Sequence, residues 1–198
     1  MHPIRWLTAI VLAAGTLPAP ATAATYKVDP GHTSVTFLVR HLLTNVEGRF
    51  RTFEGTIVFD PAEPEKTVVK GTIDVASIDT NVEKRDEHLR SPDFFDVAKY
   101  PKIEFVSTGV SDVDRETNTG KLHGNLTIHG VTKPVVLDAQ FLGAATDPWG
   151  NKKGGFTATT TINRKDFGLT WNKSLETGGL LVGDEVTIRL NVEGDVQE

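Results

Sequence analysis

Five of the six histidines, a scatter of carboxylates and one pair of adjacent phenylalanines are the side chains from which any chemistry would have to be built. Past the first residues, histidine occurs at His32, His41, His88, His123 and His129. No two stand at zinc-ligand spacing and there is no His-Glu-x-x-His. His123 and His129 lie about 20 Å apart along an extended strand, on positions opposite the apolar ones, so both read as solvent-facing. His41 falls on the apolar parity at the end of a run and reads as a histidine of the core or of a cavity rim. The chain has no cysteine, which excludes thiolate metal sites, cysteine nucleophiles and disulfides. No serine sits in a Gly-x-Ser-x-Gly turn, and neither a Walker-type phosphate loop nor a Gly-x-Gly-x-x-Gly follows a strand. Asp29, Asp86, Asp93 and Asp96 have ordinary turn or capping explanations. Neither a catalytic residue nor a metal or cofactor site is predicted.

What remains is Phe94-Phe95, within Ser91-Pro92-Asp93-Phe94-Phe95-Asp96-Val97-Ala98-Lys99-Tyr100-Pro101. A hydroxyl, a proline and an acid in succession predict a helix start at Ser91. Pro101 ends anything helical and extends Tyr100. Upstream, Thr80 with Glu83 has the spacing of a capping box, so a short helix is expected over residues 80–90, with Val82 and Leu89 as its apolar contacts. A helical turn presenting two phenylalanines among strands reads as a plug or lid on a β structure.

The elements around it alternate with period 2, the signature of strands with one buried face. Val35, Phe37, Val39 and His41 share one face. Val46, Gly48 and Phe50 continue the alternation. Phe53, Gly55, Ile57 and Phe59 follow with the parity flipped, which predicts a bulge or bend at Arg51-Thr52. Further runs are Val69 to Val75, Ile103 to Ser107, Leu122 to Ile128, Val135 to Phe141, Phe156 to Ile162 and Val186 to Val192. Asp112 to Gly120 reads as a polar turn, and Gly130-Val131-Thr132 as a hairpin connection. About eight strand-like runs joined by short turns predict an all-β antiparallel barrel or sandwich with one short helical insertion. An eight-stranded barrel can fill its interior or hold one ligand. The inward phenylalanines favour a packed core, whereas Gly48, Gly55, Gly71, Gly124, Ala139 and Ala158 on inward faces favour open space. Pattern alone leaves both readings open.

The chain has 198 residues and a formal net charge of −5, without basic clusters, which argues against nucleic acid and anionic membrane surfaces. Arg5, the apolar run from Trp6 to Gly15 and Ala21-Thr22-Ala23 have the layout of a cleavable signal peptide spanning residues 1–23. The run is shorter than the roughly 20 residues needed to span a bilayer, so no stable membrane anchor is expected. Residues 24–198 are then expected to form a single domain.

Several of these segments, in order, resemble the YceI-like family. They are Asp29-Pro30-Gly31-His32-Thr33-Ser34 with the alternation to His41, Arg85-Asp86 with His88-Leu89, and Ser91 through Pro101. The run Leu126 through Val135, then Phe167-Gly168-Leu169 and Gly183-Asp184-Glu185-Val186, complete the match. The resemblance covers about Thr25 to Val196. His129 stands where the family pattern leads one to expect arginine. The resemblance implies an extended, lipocalin-like, eight-stranded antiparallel β-barrel in the bacterial periplasm. Its apolar cavity would bind a polyisoprenoid lipid such as an isoprenoid quinone or a polyprenyl phosphate, without catalysis. On that reading Phe37, Val39, His41, Phe50, Phe94, Phe95, Phe105 and Trp171 are the ligand-binding residues, with Arg85 and His88 at the mouth for a polar head group. A homodimer is compatible with the sequence. Two other classes stay in view: an isoprenoid-modifying or hydrolytic enzyme using His41 or His88, and a ligand-free structural or stress-related barrel.

Overall fold

A computed structural model describes residues 23–174 and 180–197; the expected signal peptide lies almost wholly outside the described residues, as does the end of the segment that follows Trp171. Among these residues the strands are β1 (Ala24–Val28), β2 (Ser34–His41), β3 (Thr44–Phe50), β4 (Phe53–Phe59), β5 (Val68–Asp74), β6 (Ile78–Asp79), β7 (Lys102–Asp114), β8 (Thr119–Ile128), β9 (Val131–Thr146), β10 (Lys152–Asn163) and β11 (Val182–Gln197), with one α-helix, α1 (Glu83–Arg90), between β6 and β7. Every pairing is antiparallel, and β1-β4-β5-β7-β8-β9-β10-β11 close into an eight-stranded ring through β1 and β11. The chain thus has more strands than the ring needs: β2, β3 and β6 continue the sheet from the other half of β11.

The long strand β11 therefore forks. Its C-terminal end pairs with β1 from Gly194 to Gln197, and Val182 to Asn191 pair with β2. The turn after β1 makes the switch. Asp29 accepts a hydrogen bond from the Gly31 amide (2.8 Å), and its own amide donates to Glu193 O (2.8 Å). Lys153 lies 3.1 Å from Asp29, 3.2 Å from Glu193 and 2.8 Å from Asp195, and His32 Nδ1 is 2.8 Å from Asp29. The His32 hydrogen bond, then the Gly31 amide, then Lys153, hold the Asp29 carboxyl down from 3.8 to about 2. Asp29 also raises the pKa of His32 above 6.5. A lowered folded-state carboxyl stabilises above its ordinary value, and that contribution is lost as pH falls through the folded one. A raised histidine contributes below 6.5 and loses its contribution as pH rises through its folded value. Asp29→Asn should thus flatten the Tm-against-pH curve between 3.8 and about 2 and also above 6.5, measured by thermal melts across buffers. Parallel wild-type and variant curves would reject the assignment.

Period-2 alternation is realised along the barrel: the inward residues of β2, β4, β5, β8, β9, β10 and β11 face the lumen as their parity requires. The parity flip falls where expected. Arg51 and Thr52 form the bend between β3 and β4, pinned by Ser77, whose Oγ accepts from both amides (3.2 and 3.0 Å). In β7 register shifts between Ser107 and Gly109 and between Ser111 and Asp114 turn first Val110 and then Val113 inward. The expected polar turn shortens to residues 115–118, because β7 runs to Asp114 and β8 starts at Thr119. Likewise the β8–β9 turn is His129-Gly130, with Val131 already in strand; His129 takes the left-handed conformation (φ 52°) and meets the Tyr100 ring edge-on, centroids 4.5 Å apart.

The short helix exists but its boundaries follow other contacts. Val82 occupies the N-cap position of α1 and no side chain caps it. Thr80 makes no capping box because Asp86 binds it instead: Asp86 accepts from the Thr80 amide (2.9 and 3.1 Å) and hydroxyl. Ser91 ends α1 rather than starting a helix, its hydroxyl donating to His88 O (2.8 Å). Residues 91–99 are turns, held where the Phe95 amide donates to Leu89 O and the Val97 amide to Arg90 O. Leu89 packs into the core as expected, whereas Val82 is exposed.

Two apolar clusters occupy opposite ends of the barrel. One, under α1, gathers Val35, Phe50, Val75, Ile78, Ile103, Ile128, Ile162, Phe167 and Leu169. The other gathers Tyr26, Ile57 and Phe59 with Phe141 and Phe156.

Candidate functional site: an apolar cavity inside the barrel

A cavity of about 600 Å³ lies inside the barrel and is lined from both clusters, within the about 300–1,000 Å³ common for ligand sites. It is elongated. On β9 alone the wall runs from Val135 through Leu137 and Ala139 to Phe141, about 20 Å of strand.

At two wall positions a ring covers a glycine. Phe37 lies across Gly48, where an added Cβ would sit 2.2 Å from its ring, and Phe105 lies across Gly124 at 2.3 Å. These glycines do not open the lumen by being small, as their pattern implied. They let an aromatic ring of the paired strand lie over them.

All ten residues expected at a ligand stand on the cavity wall. Phe37, Val39 and His41 come from β2, Phe50 from β3 and Phe105 from β7. Arg85 and His88 come from α1, Phe94 and Phe95 from the turns after it, and Trp171 from the segment after β10. The first three share one side of β2 by strand alternation. Tertiary packing brings the rest to them. Phe50 bridges Phe37 (5.8 Å between centroids) and Phe95 (6.1 Å). Phe94, His88 and Trp171 form a triangle with sides of 4.9 to 5.1 Å, the His88 ring edge-on to both neighbours. His88 Nε2 lies 2.8 Å from Asp93, which fixes the ring in that slot. Arg85 donates from Nε to Thr80 Oγ1 and from Nη2 to Thr80 O, both at 2.7 Å. His129 lies off the cavity wall, in the β8–β9 turn beside Tyr100.

Sequence reasoning missed Arg164. It is 4 % exposed on the cavity wall, at the start of a 3₁₀ turn (Arg164–Phe167). Its guanidinium donates to the carbonyls of Gly183 (2.9 Å), Leu169 and Trp171 (2.9 Å), and lies 3.5 Å from Asp184. Burial pushes its pKa down and Asp184 pushes it back up. Arg164 is thus the peg that ties the Trp171 segment to β11. A signal was present: it continues the inward parity of Ile162. Nothing in sequence marked the Thr80–Asp86 pairing.

Among the described residues Asp29, His32 and Glu193 come within reach of one ion, but the Lys153 ammonium already supplies that cluster's cation. No helix of the described residues is long and apolar enough to cross a membrane.

Comparison with known proteins agrees with this architecture. A UPF0312 protein of Vibrio cholerae serotype O1 is 42% identical over 169 residues, covering 83% of this chain and 88% of the relative. The crystal structure of Burkholderia cenocepacia BcnA superposes with a TM-score of 0.74 at 26% identity, over 84% of this chain and 98% of that one. A domain of Saccharophagus degradans described as polyisoprenoid-binding shares the fold, with a TM-score of 0.62 at 16% identity, over 87% of this chain and 98% of that one. The model of the YceI-like domain matches residues 26–194. By fold, motifs and match, the chain belongs to the YceI-like family.

Proposed function

We propose that this protein binds a polyisoprenoid lipid, such as an isoprenoid quinone or a polyprenyl phosphate, for transport or storage and without catalysing a reaction on it. The observation that carries the reading is the elongated cavity, walled almost throughout by aliphatic and aromatic side chains. Its fold is also that of a domain described as polyisoprenoid-binding. Each buried methylene contributes about 0.8 kcal/mol, so two or three isoprene units offset much of the about 4–15 kcal/mol that association costs. Few polar contacts are then required. Arg85, at the α1 end, supplies a cation to a phosphate or a quinone carbonyl, with the His88 ring on the wall beside it. The leader pattern of residues 1–23 supports export to the periplasm, where the carrier works as a free protein.

Mass spectrometry of organic extracts from the purified native protein is the test. A polyprenyl species at near-stoichiometric amount is expected. Gly124→Val should lift the Phe105 ring off the wall into the lumen and cut the extracted lipid about tenfold, in line with the cost of overpacking a filled space, about 1–3 kcal/mol. An empty, dry barrel in the native protein would favour a structural role instead. Turnover of a polyprenyl diphosphate that disappears in His41→Ala would favour an enzyme.

A further inference from the structure

The hairpin tip between β2 and β3 breaks the local rules of turn chemistry. His41 pairs with Thr44, so Leu42 and Leu43 form a two-residue loop. Such loops need a left-handed first residue and normally place glycine or asparagine there. Here Leu42 has φ 52°, a strained conformation for a bulky side chain. Leu43 is 97% exposed and Leu42 40% exposed. Two leucines thus occupy a turn that strains one and leaves the other in water.

The tip stands at the rim of the cavity. The Leu42 amide donates to Leu181 O at 3.0 Å, and His41, Leu181 and Val182 all line the cavity wall. Val82, 47% exposed, starts the helix over the same end. At the opposite end Trp149 is also exposed (84%), but neither it nor any residue of its turn lines the cavity. The cavity wall at that end includes Pro61, Pro64 and Arg115, and Arg115 links its two sides, donating to Ala62 O (2.9 Å) and Glu65 (3.0 Å).

We infer that the Leu42-Leu43 tip docks the cavity mouth onto a phospholipid bilayer for lipid exchange. The inference rests on the lipid-binding reading. A polyisoprenoid has almost no free concentration in water, because every methylene it exposes is unfavourable. It therefore enters or leaves the barrel while the mouth touches an apolar phase. Two exposed leucines insert into the boundary between head groups and acyl chains, and contacts of that size give weak, reversible adsorption. A carrier that must leave again needs that.

Leu42→Gly/Leu43→Ser is the decisive variant, since Gly-Ser suits the turn and folding should be kept or improved. Flotation with phosphatidylcholine vesicles should show at least about tenfold weaker association for the variant, as expected from removing two large apolar side chains from an interface. Transfer of ubiquinone-8 from loaded phosphatidylcholine vesicles should slow by a similar factor, with equilibrium loading of detergent-dispersed ubiquinone-8 unchanged. Trp149→Ser should behave as wild type. Wild-type flotation and transfer rates in the tip variant overturn the proposal, as does their loss in Trp149→Ser. Dimers that dissociate in the tip variant, with vesicle binding intact, would assign the tip to a second copy and overturn it too. If the wild-type protein loads no ubiquinone-8 from detergent, the lipid reading fails for that ligand, while vesicle flotation still decides the role of the tip.

Discussion

Replacing Asp86 with alanine should lower the stability of the protein by about 3 kcal/mol, a fall in Tm of about 6–12 °C for a chain of this length. The carboxylate is 3% exposed. It accepts both donors of Thr80, the amide at 2.9 and 3.1 Å and the hydroxyl. Thr80 in turn accepts Arg85 through Oγ1 and its carbonyl. Without Asp86, a buried amide and a buried hydroxyl lose their partner, and an unsatisfied buried polar group costs more than its hydrogen bond contributed. Because the clamp joins the end of β6 to α1, the damage should be greatest there: amide exchange in residues 80–95 should accelerate more than in β8 to β11. Asp86→Asn, which keeps an acceptor, should lose less than half as much. A Tm unchanged from wild type in Asp86→Ala would show that the clamp is incidental.

The second large effect belongs to the opposed phenylalanines. Phe94 is buried, and truncating such a side chain costs about 3–5 kcal/mol in transfer and cavity terms. Phe94 also supports Trp171 and His88, and Phe95 supports Phe50. The double variant Phe94→Ala/Phe95→Ala should unseal the α1 end of the cavity and reduce retained lipid by tenfold or more, as removal of about 1.4 kcal/mol or more of contact energy would do. Phe94→Leu/Phe95→Leu keeps the end apolar and filled, and should retain most of the lipid and most of the Tm. Those paired readouts separate a gate from a folding defect. A folded Phe94→Ala/Phe95→Ala protein with wild-type lipid content would remove both side chains from the ligand site.

The lumenal face was legible in the sequence because strand alternation is local. Successive side chains point to opposite faces whatever the partner strand, so Val35, Phe37, Val39 and His41, or Val135, Leu137, Ala139 and Phe141, identify themselves. The break at Arg51-Thr52 was legible for the same reason, as a change of parity between Phe50 and Phe53. Local motifs misled where a different partner close in the chain took the same group. Thr80 has the spacing for a capping box with Glu83, yet a buried Asp86 offers a carboxylate to both its donors. Ser91-Pro92-Asp93 has the composition of a helix start, yet α1 reaches Ser91 from the other side and uses its hydroxyl at the C-terminus.

Composition and alternation alone thus determined an antiparallel β fold, its inward residues, the absence of cysteine chemistry and the aromatic segment at one end. Tertiary structure alone decided that the sheet closes through β1 and forks along β11. It also set Phe37 and Phe105 over Gly48 and Gly124, buried Arg164 as the peg of the Trp171 segment, and placed Leu42-Leu43 at the mouth. The difference is physical. Which face a side chain takes depends on its own backbone, whereas which ring covers a glycine depends on the register of a strand elsewhere in the chain. The β2–β3 and β7–β8 pairings fix that register, setting Phe37 directly opposite Gly48 and Phe105 diagonally from Gly124.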